Sequence, residues 1–188
     1  MKLKIIKKTS VKSTNNEAIK LIKKNKFKSS LITSRIQTNG KGTMGKKWIS
    51  KKGNLFFSIF FVINQKKINF KQYAILNAYF FKKIISNFST KKIKIKWPND
   101  LLIDKKKVCG ILQEVISFNS KEFLIVGVGI NTNNCPIIKN YKTTCLKSDV
   151  NKKINNSEIL NEIIKKYDKF IEKTKANSFK ILKKNLLK

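Results

Sequence analysis

The chain contains no histidine, so Ser–His and Cys–His nucleophilic arrangements are excluded. Chemistry here must run on lysine, carboxylates, backbone amides or a bound metal. Carboxylates are scarce: after Glu17 the next is Asp100, followed by Asp104 and Glu114. They fall in and just beyond the most polar-patterned stretch, which runs from Trp97 through Asn99 and Asp100 to Lys107 and Gly110. In a lysine-rich chain a lone aspartate can also serve simply as the partner of a lysine. Gly40-Lys41-Gly42-Thr43-Met44-Gly45 matches GxGxxG as a string. A dinucleotide fingerprint, however, needs a helix starting within it and an acidic residue about 20 positions on, and none follows before Asp100. The segment reads better as a mobile loop whose amides and lysines wrap an anion, with a plain glycine-rich hairpin loop as the alternative. Cys109, Cys135 and Cys145 form no CxxC pair, which argues against a zinc site. They read as free thiols in a reducing compartment.

These groups need a scaffold. With 188 residues, 41% of them hydrophobic, the chain suffices for a single domain, 1–188, with a substantial core. Thr14 with Glu17 three positions on fits a capping box, opening a helix that ends near Asn25. Ser30–Gln37 reads as a strand, Asn54–Ile63 as a largely buried strand, and Phe70–Phe88 as a long amphipathic helix. Lys92–Trp97 alternates strictly between lysine and Ile93, Ile95 and Trp97, as a half-buried strand does, and Pro98 stops it. Asp100–Asp104 and Val108–Ser117 read as strands joined by a Lys105–Lys107 turn. Glu122–Val128 is a further strand, and Asn156–Lys173 and Ser178–Leu187 are helices by period. Strands cluster centrally with helices around them, which predicts α+β, a mixed sheet backed by helices.

The formal net charge is +33, yet Arg35 is the only arginine among 43 basic residues. The lysines are spread along the whole length, and Lys, Ile and Asn, all with AT-rich codons, make up about half the chain. Weak, salt-sensitive association with nucleic acid follows; sequence-specific DNA binding does not. The longest apolar stretch, Leu55–Ile63, is too short for a bilayer-crossing helix of about 20 residues. The N-terminus lacks a secretory pattern, so the expected location is the cytoplasm.

Four segments together are far more specific than any one. They are Ser13-Thr14-Asn15; Gln37 with the Gly40–Trp48 loop; Lys96-Trp97-Pro98-Asn99-Asp100-Leu101 with Lys107 and Gly110; and Gly127-Val128-Gly129-Ile130-Asn131. Their order and spacing resemble the catalytic domain of biotin–protein ligases, closely from Ser13 to Asn131. The resemblance implies a fold akin to the class II aminoacyl-tRNA synthetase catalytic domain. It implies that biotin and ATP give biotinyl-5'-AMP and pyrophosphate with Mg²⁺, and that biotin then passes to a lysine of a biotin carboxyl carrier protein of acetyl-CoA carboxylase or a similar acceptor. By the same resemblance, Ser13, Thr14, Asn15 and Gln37 contact biotin, and Lys41, Gly42 and Thr43 close over biotin and the adenylate phosphate. Lys107 stands beside the biotin carboxylate, with Lys107 and Lys41 the catalytic lysines. Trp48, Asn99, Asp100 and Asn131 surround ATP, Asp100 being placed to orient Mg²⁺ or its water.

The chain departs from the family in three places. The twelve residues before Ser13 are too few for the winged helix of the repressor members, the C-terminal β-barrel is expected to be absent, and Thr43 stands where the loop usually carries a second basic residue. No membrane association is expected, and a homodimer is left open. Lipoate–protein ligases share the fold and chemistry, but their glycine-rich RRxSGGGxVYHD segment has no counterpart here. A basic nucleic-acid-binding module is the alternative from another class, and an inactive ligase a third.

Overall fold

The structure, a computed structural model, describes residues 2–25, 28–139 and 141–187. Seven strands form one mixed sheet: β1 (Lys4–Val11), β2 (Ser30–Gln37), β3 (Leu55–Ile63), β4 (Lys94–Lys96), β5 (Asp100–Ile103), β6 (Lys106–Phe118) and β7 (Lys121–Ile130). Their order across the sheet is β1-β2-β3-β7-β6-β5-β4. β1 and β2 run parallel, and every other neighbouring pair is antiparallel. The helices are α1 (Thr14–Lys23), α2 (Phe70–Ile85), α3 (Leu146–Val150), α4 (Asn156–Ala176) and α5 (Phe179–Leu187). The α+β expectation holds.

The interior strand β3, between β2 and β7, explains why the sheet is covered on both sides. Its sequence, LFFSIFFVI, is buried at every position but Val62. Leu55, Phe57, Ile59, Phe61 and Ile63 enter the main core, which also takes in Leu76, Phe80 and Phe81 of α2 and Ile163, Tyr167 and Phe170 of α4. Phe60 turns to the opposite face and joins Ala18 and Ile22 of α1, Ile32, Phe123 and Ile125. Burying each such side chain contributes roughly 1.5–3 kcal/mol. Ser58, the one polar residue in the run, is fully buried, and by the two-residue alternation of a strand it shares the α1 face with Phe60.

Local chemistry departs from the sequence reading in several places. α1 begins after Ser13, with no side-chain cap. Thr14 is inside the helix and its hydroxyl donates to Gln37 Oε1 at 3.1 Å, while Glu17 pairs with Lys20 at 2.7 Å. The capping-box hydroxyl is therefore spent on a tertiary contact. α2 does carry a capping box, between Asn69 and Gln72. The Lys92–Trp97 alternation yields only the three-residue edge strand β4, and Trp97 lies 48% exposed against Tyr79.

Lys105–Lys107 is not the turn. Asp104 and Lys105, both with positive φ, form a two-residue hairpin of the kind that suits twisted strands. Lys107 lies in β6. The cysteine reading also changes: Cys135 and Cys145 are disulfide-bonded with Cα atoms 5.0 Å apart, and Cys109 is a buried free thiol. The chain from Asn131 folds back on itself, Leu146 N donating to Asn131 O and Asn131 Nδ2 to Thr144 O. That return path brings the two cysteines together.

Candidate active site

A cleft opens on the α1 face of the sheet, over β6 and β7. Its floor is made of glycine. Gly110 of β6 sits opposite Gly129 of β7, and Gly127 lies two residues before Gly129. The missing side chains are replaced by incoming ones. A Cβ on Gly129 would stand 2.4 Å from Trp48 Cε2, one on Gly110 2.7 Å from Trp48 Cζ3, and one on Gly127 2.2 Å from Asn15 Oδ1. The indole of Trp48 and the amide of Asn15 thus lie directly on the backbone of the sheet. The cleft is narrow: its free volume is about 40 Å³, well below the ~300–1,000 Å³ of an open small-molecule pocket.

At one end stands a chain of polar groups from four elements. Gln37 Oε1, at the end of β2, accepts from Thr14 N at 2.8 Å and from Thr14 Oγ1. Gln37 Nε2 donates to Ser50 Oγ at 3.0 Å. Ser58 Oγ lies 2.7 Å from Thr14 Oγ1 and 2.5 Å from Asn15 Oδ1; its single proton serves one of them at a time. Asn15 Nδ2 donates to Glu114 Oε2 at 2.6 Å. Glu114 Oε1 is 3.7 Å from Lys41 Nζ, which ties the glycine loop to β6. The loop is folded on itself, Gly42 N donating to Lys46 O and Trp48 N to Gly40 O. Met44, with φ +54°, lies 93% exposed at its tip.

Lys107 stands in the middle. Asp100 pairs with Gly110 and Leu101 with Cys109, but Leu102 pairs with Lys107. One extra residue, Val108, is bulged into β6. Val108 and Cys109 therefore both enter the main core, and the residue before them is rotated to the cleft face, as bulges re-aim side chains. The ammonium of Lys107 is 2.7 Å from Asp100 Oδ1, with the two side chains 15% and 20% exposed. It also lies 5.3 Å over the ring of Trp48 and 5.4 Å over that of Tyr141. Burial pushes the neighbouring Cys109 thiol well above the usual range, so it is an inert core group.

The far end is formed by Trp48, Tyr141, Asn131, Pro136 and Ile138. The backbone of the disulfide-closed segment clips onto Lys107: Lys107 N donates to Lys142 O and Thr144 N to Lys107 O. Among the described residues, four buried side-chain polar atoms lack a hydrogen-bond partner: Trp48 Nε1 and Asn131 Oδ1 at this end, Asp100 Oδ1, which is ion-paired with Lys107, and Asn156 Oδ1.

Ser13, Thr14, Asn15, Gln37, Lys41, Gly42, Thr43, Trp48, Asn99 and Lys107 all line the one cleft. Asn131 lies in the adjoining recess, and Asp100 reaches the cleft through its pair with Lys107. Sequence reasoning did not place Ser58, Glu114, Ser50 or Tyr141 there. A single serine inside an otherwise apolar strand was the available signal for Ser58.

Comparison with known proteins gives a consistent result. A model of the biotin/lipoate A/B protein ligase family matches residues 7–131. Biotin–protein ligase 2 of Arabidopsis thaliana is 32% identical over 167 residues, 81% of this chain and 48% of that protein. The bifunctional ligase/repressor BirA of Bacillus subtilis is 32% identical over 126 residues, 66% of this chain and 39% of that one. The chain thus spans half or less of the length of these relatives. Among solved structures, the biotin protein ligase from Aquifex aeolicus in complex with biotin and ATP superposes with a TM-score of 0.80 at 30% identity, over 97% of this chain and 76% of that one.

Proposed function

The chain belongs to the biotin/lipoate A/B protein ligase family, and we propose on that footing that it joins biotin to ATP as biotinyl-5'-AMP and passes biotin to a lysine of an acceptor protein. One observation carries the reading: a lysine rotated into the cleft by a bulge stands between an end rich in ordered donors and acceptors and an end with unpaired polar atoms beside an aromatic ring. A ureido headgroup needs the first and a nucleobase the second. Thr14, Asn15 and Gln37 hold fixed donors and acceptors for the headgroup. The unpaired Asn131 Oδ1 suits an amino group of a base, with the Trp48 indole as its stacking surface.

In the first step a carboxylate oxygen attacks the α-phosphorus of ATP and pyrophosphate leaves. Two anions must meet, and Lys107 and Lys41 offset the charge that builds at the reacting centre. No enzyme nucleophile is required, so the absence of histidine costs nothing. In the second step an acceptor lysine amine attacks the acyl carbon, and AMP leaves.

Magnesium fits this site only in one way. Asp100 is engaged with Lys107, and among the described residues no group of three or more His, Cys, Asp or Glu side chains is placed to hold a metal ion. A Mg²⁺ held chiefly by the phosphates and waters, with Asp100 nearby, matches these residues. Bound there it would offset triphosphate charge. The acceptor that suits the reading is a biotin carboxyl carrier protein; the Paracoccus denitrificans relative, 29% identical over 127 residues, is a biotin–[acetyl-CoA-carboxylase] ligase.

The test is transfer. Incubated with biotin, ATP, Mg²⁺ and a biotin carboxyl carrier domain, the protein should add one biotin to the acceptor lysine, read as a mass increase. No labelling of the carrier or of any other biotin-acceptor domain overturns the proposal.

A further inference from the structure

Glu114 touches both the helix α1 and the glycine loop. Its Oε2 accepts from Asn15 Nδ2 at 2.6 Å, and its Oε1 faces Lys41 Nζ at 3.7 Å. The amide of Asn15 has no freedom left. It rests on Gly127, where any side chain would displace it; its oxygen is taken by Ser58 and its nitrogen by Glu114. Ser58, a hydroxyl that can donate or accept, tolerates either orientation of the amide, but turning it over would set its oxygen against the Glu114 carboxylate. Glu114 therefore decides which way the amide points.

We propose that Glu114 is a positioning residue with two functions: it fixes the donor–acceptor polarity of the headgroup end through Asn15, and it latches the Gly40–Trp48 loop shut through Lys41. The proposal rests on the biotin reading for its first half only; the latch is a property of the protein without ligand. The two contacts differ in strength. The bond to Asn15 is short, charge-assisted and half-buried, of the kind that dominates recognition. The pair with Lys41 is longer and more exposed, and such pairs contribute little, which suits a loop that must open for each turnover.

Two substitutions in the full chain separate the functions. Glu114→Gln keeps an acceptor oxygen for Asn15 and removes the charge facing Lys41. Glu114→Ala removes both. Hydrogen–deuterium exchange of the peptide covering 40–48, without ligand, reads the latch, because exchange tracks the open population. Both variants should exchange there about two- to fivefold faster, as the loss of one exposed ion pair allows. Calorimetry reads biotin affinity. Glu114→Gln should bind within about threefold of wild type, while Glu114→Ala should bind roughly tenfold or more weakly, with the KM for ATP little changed. Should Glu114→Ala fold poorly, a swap decides the same point. Asn15→Asp alone sets two carboxylates face to face, and adding Glu114→Gln restores one donor–acceptor bond, so affinity should recover severalfold from single to double. Unchanged exchange in both variants overturns the latch. Wild-type biotin affinity in Glu114→Ala, or no recovery in the swap, overturns the orienting role. If the wild-type protein binds no biotin, the function reading fails together with the orienting half, and the latch is still decided by exchange.

Discussion

Replacing Lys107 by alanine should cost both stability and rate, and the structure lets the two be separated. Its ammonium is 2.7 Å from Asp100 Oδ1, with side chains 15% and 20% exposed. Fully exposed pairs are worth about 0.2–1 kcal/mol, whereas removing one partner of a buried pair costs about 3–5 kcal/mol, because the other charge is left uncompensated. At this intermediate burial, with the cation also over two aromatic rings, about 2 kcal/mol of stability should be lost. A urea unfolding midpoint reads it. Lys107→Met combined with Asp100→Asn removes the stranded charge and should recover most of that loss. The rate should not recover. A preorganised charge at the reacting centre is worth about 2–4 kcal/mol of transition-state stabilisation, or roughly 30- to 900-fold at 1.36 kcal/mol per decade. Single-turnover pyrophosphate release with biotin and ATP is the assay. Near-normal release by Lys107→Ala, or recovery of the rate along with stability in the double variant, would refute the reasoning.

Three further outcomes are expected. Gly129→Ala should lift Trp48 off the floor, its Cβ falling 2.4 Å from the indole, and weaken ATP binding at least about tenfold, while Gly127→Ala, which meets Asn15 instead, should weaken biotin binding; isothermal titration of each ligand against each variant checks the split. Reducing the Cys135–Cys145 bond, which closes a loop across a sequence separation of 10, should lower stability by about 2.7 kcal/mol on the loop-entropy account, and after reduction native protein should be alkylated at those two cysteines but not at buried Cys109. Thr43 lines the cleft with one hydroxyl and no charge, so Thr43→Arg should slow dissociation of biotinyl-AMP about tenfold to a hundredfold and reduce self-biotinylation measured without acceptor.

Much of the site was legible because its residues lie in short runs whose spacing survives in the sequence. Asp100 and Lys107 stand seven apart on the two arms of one hairpin, and the glycines of β7 alternate as strand residues must. What could not be read depends on registers. Lys107 looked like a turn residue because nothing in the sequence marks the bulge at Val108 that rotates it to the cleft. Ser58 and Glu114 act through partners 43 and 99 residues away, a proximity that only the pairing of β3, β7 and β6 creates. β1 carries no clean alternation, since as a parallel edge strand beside β2 it exposes most of its residues. The disulfide was missed for a similar reason: its cysteines meet because Asn131 and Lys107 hold the backbone between them, not because of any motif. The capping-box pattern at Thr14 misled because a hydroxyl suited to a helix end was recruited by Gln37.

The central claim is that this cleft joins a carboxylate to the α-phosphate of ATP. The most direct measurement is mass spectrometry of the small molecules formed when the wild-type protein is incubated with biotin, ATP and Mg²⁺ and no acceptor, beside a parallel reaction with lipoate. A species with the mass of biotinyl-5'-AMP, formed only when biotin and ATP are both present and reduced by Lys107→Ala, is the predicted result. Turnover of lipoate in preference to biotin, or no adenylate from either acid, would contradict it.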